Sequence, residues 1–137
     1  VHDARVTPWP IESDSVTLVV SNQFLEHLTG EERIGFFNEL YRVMVKDGMA
    51  VISTPAWNNE RAYGDPTHQW PPVNTWTYCY LDKEWREREA PHVNYECNFK
   101  ADFVINYDTT SQIDHTEKNA RHAINVITDL IAKLKKQ

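Results

Sequence analysis

Two β-rich runs flank one clearly marked helix within residues 16–54, and that order leaves few folds open. Val16-Thr17-Leu18-Val19-Val20-Ser21-Asn22 is a nearly continuous apolar, β-branched run. Such a composition predicts a strand buried on both faces, as in parallel sheets. A short helical stretch is expected from Gln23 to Leu28. Thr29-Gly30-Glu31-Glu32 then reads as a capping box, with Thr29 at the N-cap and Glu32 at N3. Ile34, Phe37, Leu40, Tyr41 and Met44 recur at helical spacing and give helix 30–46 one apolar face. Asp47-Gly48 is the expected stop, with Gly48 free to take positive φ. Met49 to Thr54 is a second buried strand, closed by Pro55. A strand–helix–strand unit of this kind crosses over right-handed into a parallel sheet.

The rest of the chain has other textures. Segment 55–92 holds Trp57, Trp70, Trp76 and Trp85, four of the five tryptophans, among breakers such as Gly64-Asp65-Pro66 and Pro71-Pro72. Asp82 is placed to cap a short helix through Trp85 to about Glu89. Long aromatic loops after a sheet strand suit a lid or binding wall, so 55–92 is expected on the acceptor side of a site. Phe99, Ala101, Phe103, Ile105 and Tyr107 alternate with other residues, which predicts antiparallel edge strands within 93–107. Asp114-His115-Thr116-Glu117 is read as a cap. Ala120, Ala123, Ile124, Ile127, Leu130, Ile131 and Leu134 are read as the apolar stripe of a C-terminal helix, 115–136.

Composition narrows the partners. With 137 residues and 41% hydrophobic content the expectation is a single domain, 1–137, with a core of its own. The formal charge of −6 gives no overall field for a phosphate backbone, so nucleic acid is an unfavoured partner. No apolar run reaches the ~20 residues of a membrane span. Two cysteines, Cys79 and Cys97, form neither a zinc cluster nor a disulfide framework. A reducing, cytoplasmic location is therefore expected. The four glycines form no phosphate-gripping loop.

Ligands of open α/β sheets bind beyond the carboxyl ends of the parallel strands. Two such ends are visible, Ser21-Asn22-Gln23 and Thr54-Pro55-Ala56-Trp57, and a third is implied at Val1-His2-Asp3-Ala4. Asp3-Ala4, Trp9-Pro10-Ile11 and Leu18 through Leu28, ending in Leu25-Glu26-His27-Leu28, resemble class I S-adenosylmethionine-dependent methyltransferases of the type-11 group. The likeness continues through Phe37-Asn38-Glu39-Leu40-Tyr41-Arg42-Val43, Ser53-Thr54-Pro55, Gly64-Asp65-Pro66-Thr67-His68 and Trp85. It implies a partial Rossmann-like methyltransferase fold, the carboxyl-terminal portion of the domain without the glycine-rich first motif.

The resemblance also implies roles. The Asp3 carboxylate would accept a hydrogen bond from the adenine amino group, with the Ala4 backbone facing the ring. Ser21 and Asn22 would lie under the amino-acid part of S-adenosylmethionine; the competing reading makes Asn22 a helix cap. Glu26, His27, Trp57 and His68 are the candidates on the substrate side, with His68 the one weak candidate for a general base. A metal-using branch, the small-RNA 2′-O-methyltransferases, carries Glu-x-x-Glu-His. Gln23 stands at its first position here, and a neutral amide is a poor hard ligand, so no metal is expected. The reaction implied is methyl transfer to a small-molecule acceptor. Without the main cofactor motif the isolated chain is expected to be inactive. The alternative is a non-catalytic module that pairs, with itself or a complementing chain, through exposed strand 16–22.

Overall fold

The computed structural model describes residues 1–107 and 122–137. Its frame is a four-stranded sheet, β1 (Val16–Asn22), β2 (Met44–Pro55), β3 (Phe99–Tyr107) and β4 (Ile127–Lys136), in the order β1-β2-β4-β3. β1 and β2 run parallel, with Leu18 to Asn22 in register with Met49 to Ser53. β4 is antiparallel to both β2 and β3.

The crossover helix α1 spans Gly30–Val43 and starts as its sequence dictates. The Thr29 side chain accepts from the Glu32 N–H, and the Glu32 carboxylate accepts from the Thr29 N–H at 2.8 Å. The helix stops three residues short of the expected 46, because β2 begins at Met44 rather than Met49. The extra residues make a bulge: Val16 pairs with Met44 and Leu18 with Met49, so two steps of β1 face five of β2. The positive φ falls on Asp47 (63°), not on Gly48 as expected. Gly48 is needed for another reason, since a Cβ there would lie 2.8 Å from the Val45 carbonyl oxygen.

The helical reading of 115–136 is overturned for its greater part. Residues 127–136 form β4, the strand between β2 and β3; 115–121 lie outside the described residues. Two periods compete here. The stripe from Ala120 to Leu134 fits a helix, but Leu130, Ala132, Leu134 and Lys136 also alternate and are the buried face of β4. Hydrogen bonding on both sides decides for the strand, and Ile124, a member of the helical stripe, is 75% exposed.

One face of the sheet carries the core. Phe36, Phe37, Leu40 and Val43 of α1 pack with Ala50, Ile52, Phe99, Ala132 and Leu134. α2 (Arg61–Gly64), α3 (Thr75–Cys79) and α4 (Lys83–Glu89) are short helices in the connection from β2 to β3. Asp82 caps α4 as expected, its carboxylate accepting from the Trp85 N–H. The other face is open at β1, the sheet edge. The expectation that 16–22 is buried on both faces fails in this chain, for Leu18 is 58% and Val20 69% exposed. β3 is the second edge, as predicted.

Candidate functional site

The parallel strands β1 and β2 end beside each other: the Gln23 N–H donates to the Ser53 carbonyl at 2.9 Å. Two clefts open at this rim. The first, of about 420 Å³, is lined by Ala4, Trp9, Ile11, Ser21, Asn22 and Phe24 among others. Its wall is set by α1. The Glu39 carboxylate accepts from the Trp9 N–H at 2.8 Å, and Arg42 donates to Glu39, which holds the carboxyl below its usual range. The Trp9 ring meets Phe36 edge to face at 5.5 Å. Inside this apolar cleft the Ser21 hydroxyl is buried with no hydrogen-bond partner. A buried orphan donor–acceptor costs about 1–3 kcal/mol.

The second cleft, of about 780 Å³, is polar and lined by Gln23, Glu26, His27, Arg61, Asp65 and His68 among others. A 3₁₀ turn, Leu25–His27, delivers Glu26 and His27. The loop carrying His68 is tied to that turn by the Gln69 N–H, which donates to the Glu26 carbonyl at 2.8 Å. Arg33 of α1, itself buried, staples both: it donates to the carbonyls of Leu25 (3.2 Å), Gln69 (3.2 Å) and Pro71 (2.7 Å). The imidazoles of His27 and His68 stand edge to face at 4.7 Å.

Hydrogen bonds fix both rings. Thr67 donates its one hydroxyl proton to Asp65 at 2.6 Å, and that bond holds the Asp65 carboxyl below its ordinary range. The Thr67 oxygen is therefore an acceptor toward His27 Nδ1, 2.9 Å away, which assigns the proton of the neutral ring to Nδ1. His68 Nδ1 faces the Ala62 carbonyl at 3.3 Å, an acceptor only, and carries its proton likewise. In both rings Nε2 is left with its lone pair. Glu26 is 4% exposed, and neither carboxylate oxygen has a hydrogen-bond partner; burial pushes its pKa up. The Tyr78 and Thr54 hydroxyls are also buried, with each other as neighbours. Burial, then the nearby Glu26 carboxyl, push the Tyr78 phenol up.

Against the expectations, Ala4, Ser21 and Asn22 do share one cleft, and Glu26, His27 and His68 share the other. Asn22 does not cap the following turn, which starts at Phe24 without a side-chain cap. Asp3 lies outside the apolar cleft's lining. Arg5 grips its carboxylate with Nε (3.0 Å) and Nη2 (2.7 Å) and holds its pKa down to about 2. Trp57 is also apart, lining a third cavity with Trp76, Phe103 and Ile105. Arg33, Thr67, Thr54 and Tyr78 were not singled out by sequence reasoning. Only Arg33 left a signal: it shares a helical face with Phe37 and Leu40, where a charge is out of place.

Residues 1–52 match the model of a family described as Methyltransferase domain. A crystal structure of an S-adenosylmethionine-dependent methyltransferase from Archaeoglobus fulgidus shares the fold, with TM-score 0.66, 19% identity and 98% of this chain covered. The chain spans 66% of the length of that protein, just under two thirds. A protein assigned as an S-adenosylmethionine-dependent methyltransferase in Listeria monocytogenes aligns at TM-score 0.47 and 14% identity, over 94% of this chain and 65% of that one. One assigned as a methyltransferase in Bacillus halodurans aligns at 0.42 and 12%, over 98% and 69%. No curated protein matches the chain. The likeness in sequence to that family lies in residues 1–52, and the likeness of fold to the Archaeoglobus structure extends over nearly the whole chain. Among the described residues no helix is long and apolar enough to cross a membrane.

Proposed function

We propose that the chain is the acceptor-side portion of a methyltransferase that moves the S-adenosylmethionine methyl group to a small, polar molecule in the cytoplasm. The observation that carries this is the adjacency of two unlike clefts at the carboxyl ends of β1 and β2. The apolar cleft has the chemistry for the cofactor. Trp9 and Phe24 give apolar walls, Ser21 offers its unpartnered hydroxyl, and Asn22 an exposed amide. The bound cofactor supplies an electrophilic methyl on a sulfonium, so little acid–base machinery is needed.

The polar cleft would hold the acceptor. In their neutral form His27 and His68 each present an Nε2 lone pair, either of which suits removal of a proton from an acceptor hydroxyl or amine. Arg33 keeps the turn and the loop together, so the two rings stay aligned as the acceptor enters. Asp3 would need to leave Arg5 to reach an adenine amino group. Trp57 lines cavities other than this cleft.

Photolabelling with radioactive S-adenosylmethionine tests the assignment. Label is expected on the peptide holding Trp9 or Phe24, is competed by S-adenosylhomocysteine, and falls with Ser21→Val. Label on the Trp57–Trp76 peptides instead would overturn it.

A second reading has its own observation. The exposed Leu18 and Val20 on edge strand β1 suit a module that pairs through this strand with itself or a complementing chain. An obligate oligomer without labelling favours that reading; a labelled monomer favours the enzyme.

A further inference from the structure

We propose that Glu26, His27 and His68 form a binding site for one divalent transition-metal ion. The inference goes beyond methyl transfer and does not depend on it; an occupied site takes the Nε2 lone pairs of both rings, so metal binding and proton removal by these histidines are alternatives at one place. It also reverses the expectation drawn from Gln23. That expectation treated residue 23 as a required ligand, whereas the structure recruits a ligand from a loop 41 residues after His27. Gln23 is engaged elsewhere, donating from its amide to Asp129 at 3.1 Å.

Three observations converge. First, one carboxylate oxygen of Glu26 and one nitrogen from each histidine all lie within 4.8 Å of one another. Around a tetrahedral ion, ligand atoms at the usual ~2.0–2.1 Å sit about 3.4 Å apart. Small rotations of three side chains close the difference. Second, Glu26 is 4% exposed, lines the cleft, and leaves both oxygens unpartnered. A buried carboxylate is ordinarily paired or bound to a cation. Arg33, whose charge also reaches Glu26, spends its guanidinium on three backbone carbonyls and makes no hydrogen bond to Glu26. Third, both imidazoles are oriented from behind in the manner of metal ligands. Thr67, fixed by Asp65, accepts from His27 Nδ1, and the Ala62 carbonyl accepts from His68 Nδ1, so both Nε2 atoms are free to ligate.

The donor set selects the ion. Two imidazole nitrogens and one carboxylate suit zinc, cobalt, iron or manganese in the divalent state, not magnesium or calcium, which prefer oxygen cages. Asp65 adds negative charge nearby: its Oδ2 is 3.9 Å from His68 Nε2, too far to compete as a hydrogen bond. Arg61, the other base in the lining, is held by Asp129 at 3.0 Å. Three protein ligands leave positions open toward the cleft, the pattern of sites that act on bound molecules.

The test uses the full chain, stripped with chelator and free of S-adenosylmethionine, so its failure is separable from failure of the methyl-transfer reading. Cobalt(II) is titrated and read by visible absorption, and zinc(II) by calorimetry in the presence of millimolar magnesium. One equivalent is expected to bind saturably, in the micromolar range or tighter. His68→Ala should weaken it at least about 100-fold, and Thr67→Val, which removes only the support behind His27, about 10–100-fold. His92→Ala, at a histidine outside the cleft, should leave it unchanged. Circular dichroism confirms that each variant is folded, and His27→Ala replaces His68→Ala if the latter is not. Absence of saturable one-equivalent binding to the wild-type chain overturns the proposal. So does displacement by magnesium, or a folded His68→Ala or His27→Ala variant that binds as tightly as wild type.

Discussion

The two clefts share a rim and differ in how their side chains are held. In the polar cleft the Nδ1 atoms of both imidazoles are engaged and Arg33 ties the turn to the loop through their carbonyls, while the Glu26 carboxylate has no partner. In the apolar cleft the walls are fixed by Glu39 and Phe36, but the polar groups are not. The Ser21 hydroxyl is unpartnered, and the Asn22 side chain is exposed. Preorganised polar groups act on a bound molecule without reorganising, whereas loosely held ones must be ordered by the ligand. The imidazoles of the polar cleft are set in place in this chain, whereas the polar groups of the apolar cleft are not.

Substitutions break this contrast to different degrees. Arg33→Met should do the most harm, since it strands three carbonyls it now satisfies. A loss of roughly 3 kcal/mol is expected in denaturant unfolding. The His27 and His68 rings should then separate, while the Trp9 wall stays in place. Next comes Thr29→Ala, which removes the α1 cap that both clefts share and should cost about 1 kcal/mol.

Glu39→Gln should weaken the apolar side alone, and its cost depends on pH. The folded carboxyl lies below its usual value of 4.5, chiefly because of Arg42. Its contribution is then fully present above pH 4.5 and is lost as pH falls through the lower folded value. Variant and wild type should differ at pH 7 by about 1 kcal/mol and converge in acid, as read by thermal unfolding across pH. The smallest effect on stability is expected for Leu18→Lys on the open face of β1, within about 0.5 kcal/mol. Chromatography with light scattering would show whether it abolishes self-association.

A check on the core between the clefts and β3 comes from the two thiols. Burial pushes Cys97 up to about 12 and Cys79 up by less. At pH 8 in the native state Cys97 should resist a thiol reagent that labels Cys79.

How much of this was legible varied with the reach of the forces involved. The α1 cap and the Asp82 cap were read from residues a few positions apart, because the interactions that set them are local, and the parallel pair β1–β2 followed from the strand–helix–strand order and its crossover rule. β4 was misread because Leu130, Ile131 and Leu134 satisfy two periods, and only pairing with β2 and β3 chooses between them. The early end of α1 followed from a bulge whose cause, the Val16–Met44 pairing, lies across the sheet. In the site, Glu26, His27 and His68 were visible as residue types. Their meeting was not, since it depends on the Arg33 staple across 36 and 38 residues to Gln69 and Pro71.

The central claim, that the ends of β1 and β2 form a cofactor cleft beside an acceptor cleft, is tested most directly by nuclear magnetic resonance. The ¹⁵N-labelled chain is titrated with S-adenosylhomocysteine to millimolar concentration, where even weak binding is read. The account predicts saturable shifts at Ala4, Trp9, Ser21, Asn22 and Phe24. Shifts centred on Trp57, Trp76 and Ile105, or none at any concentration, would contradict it.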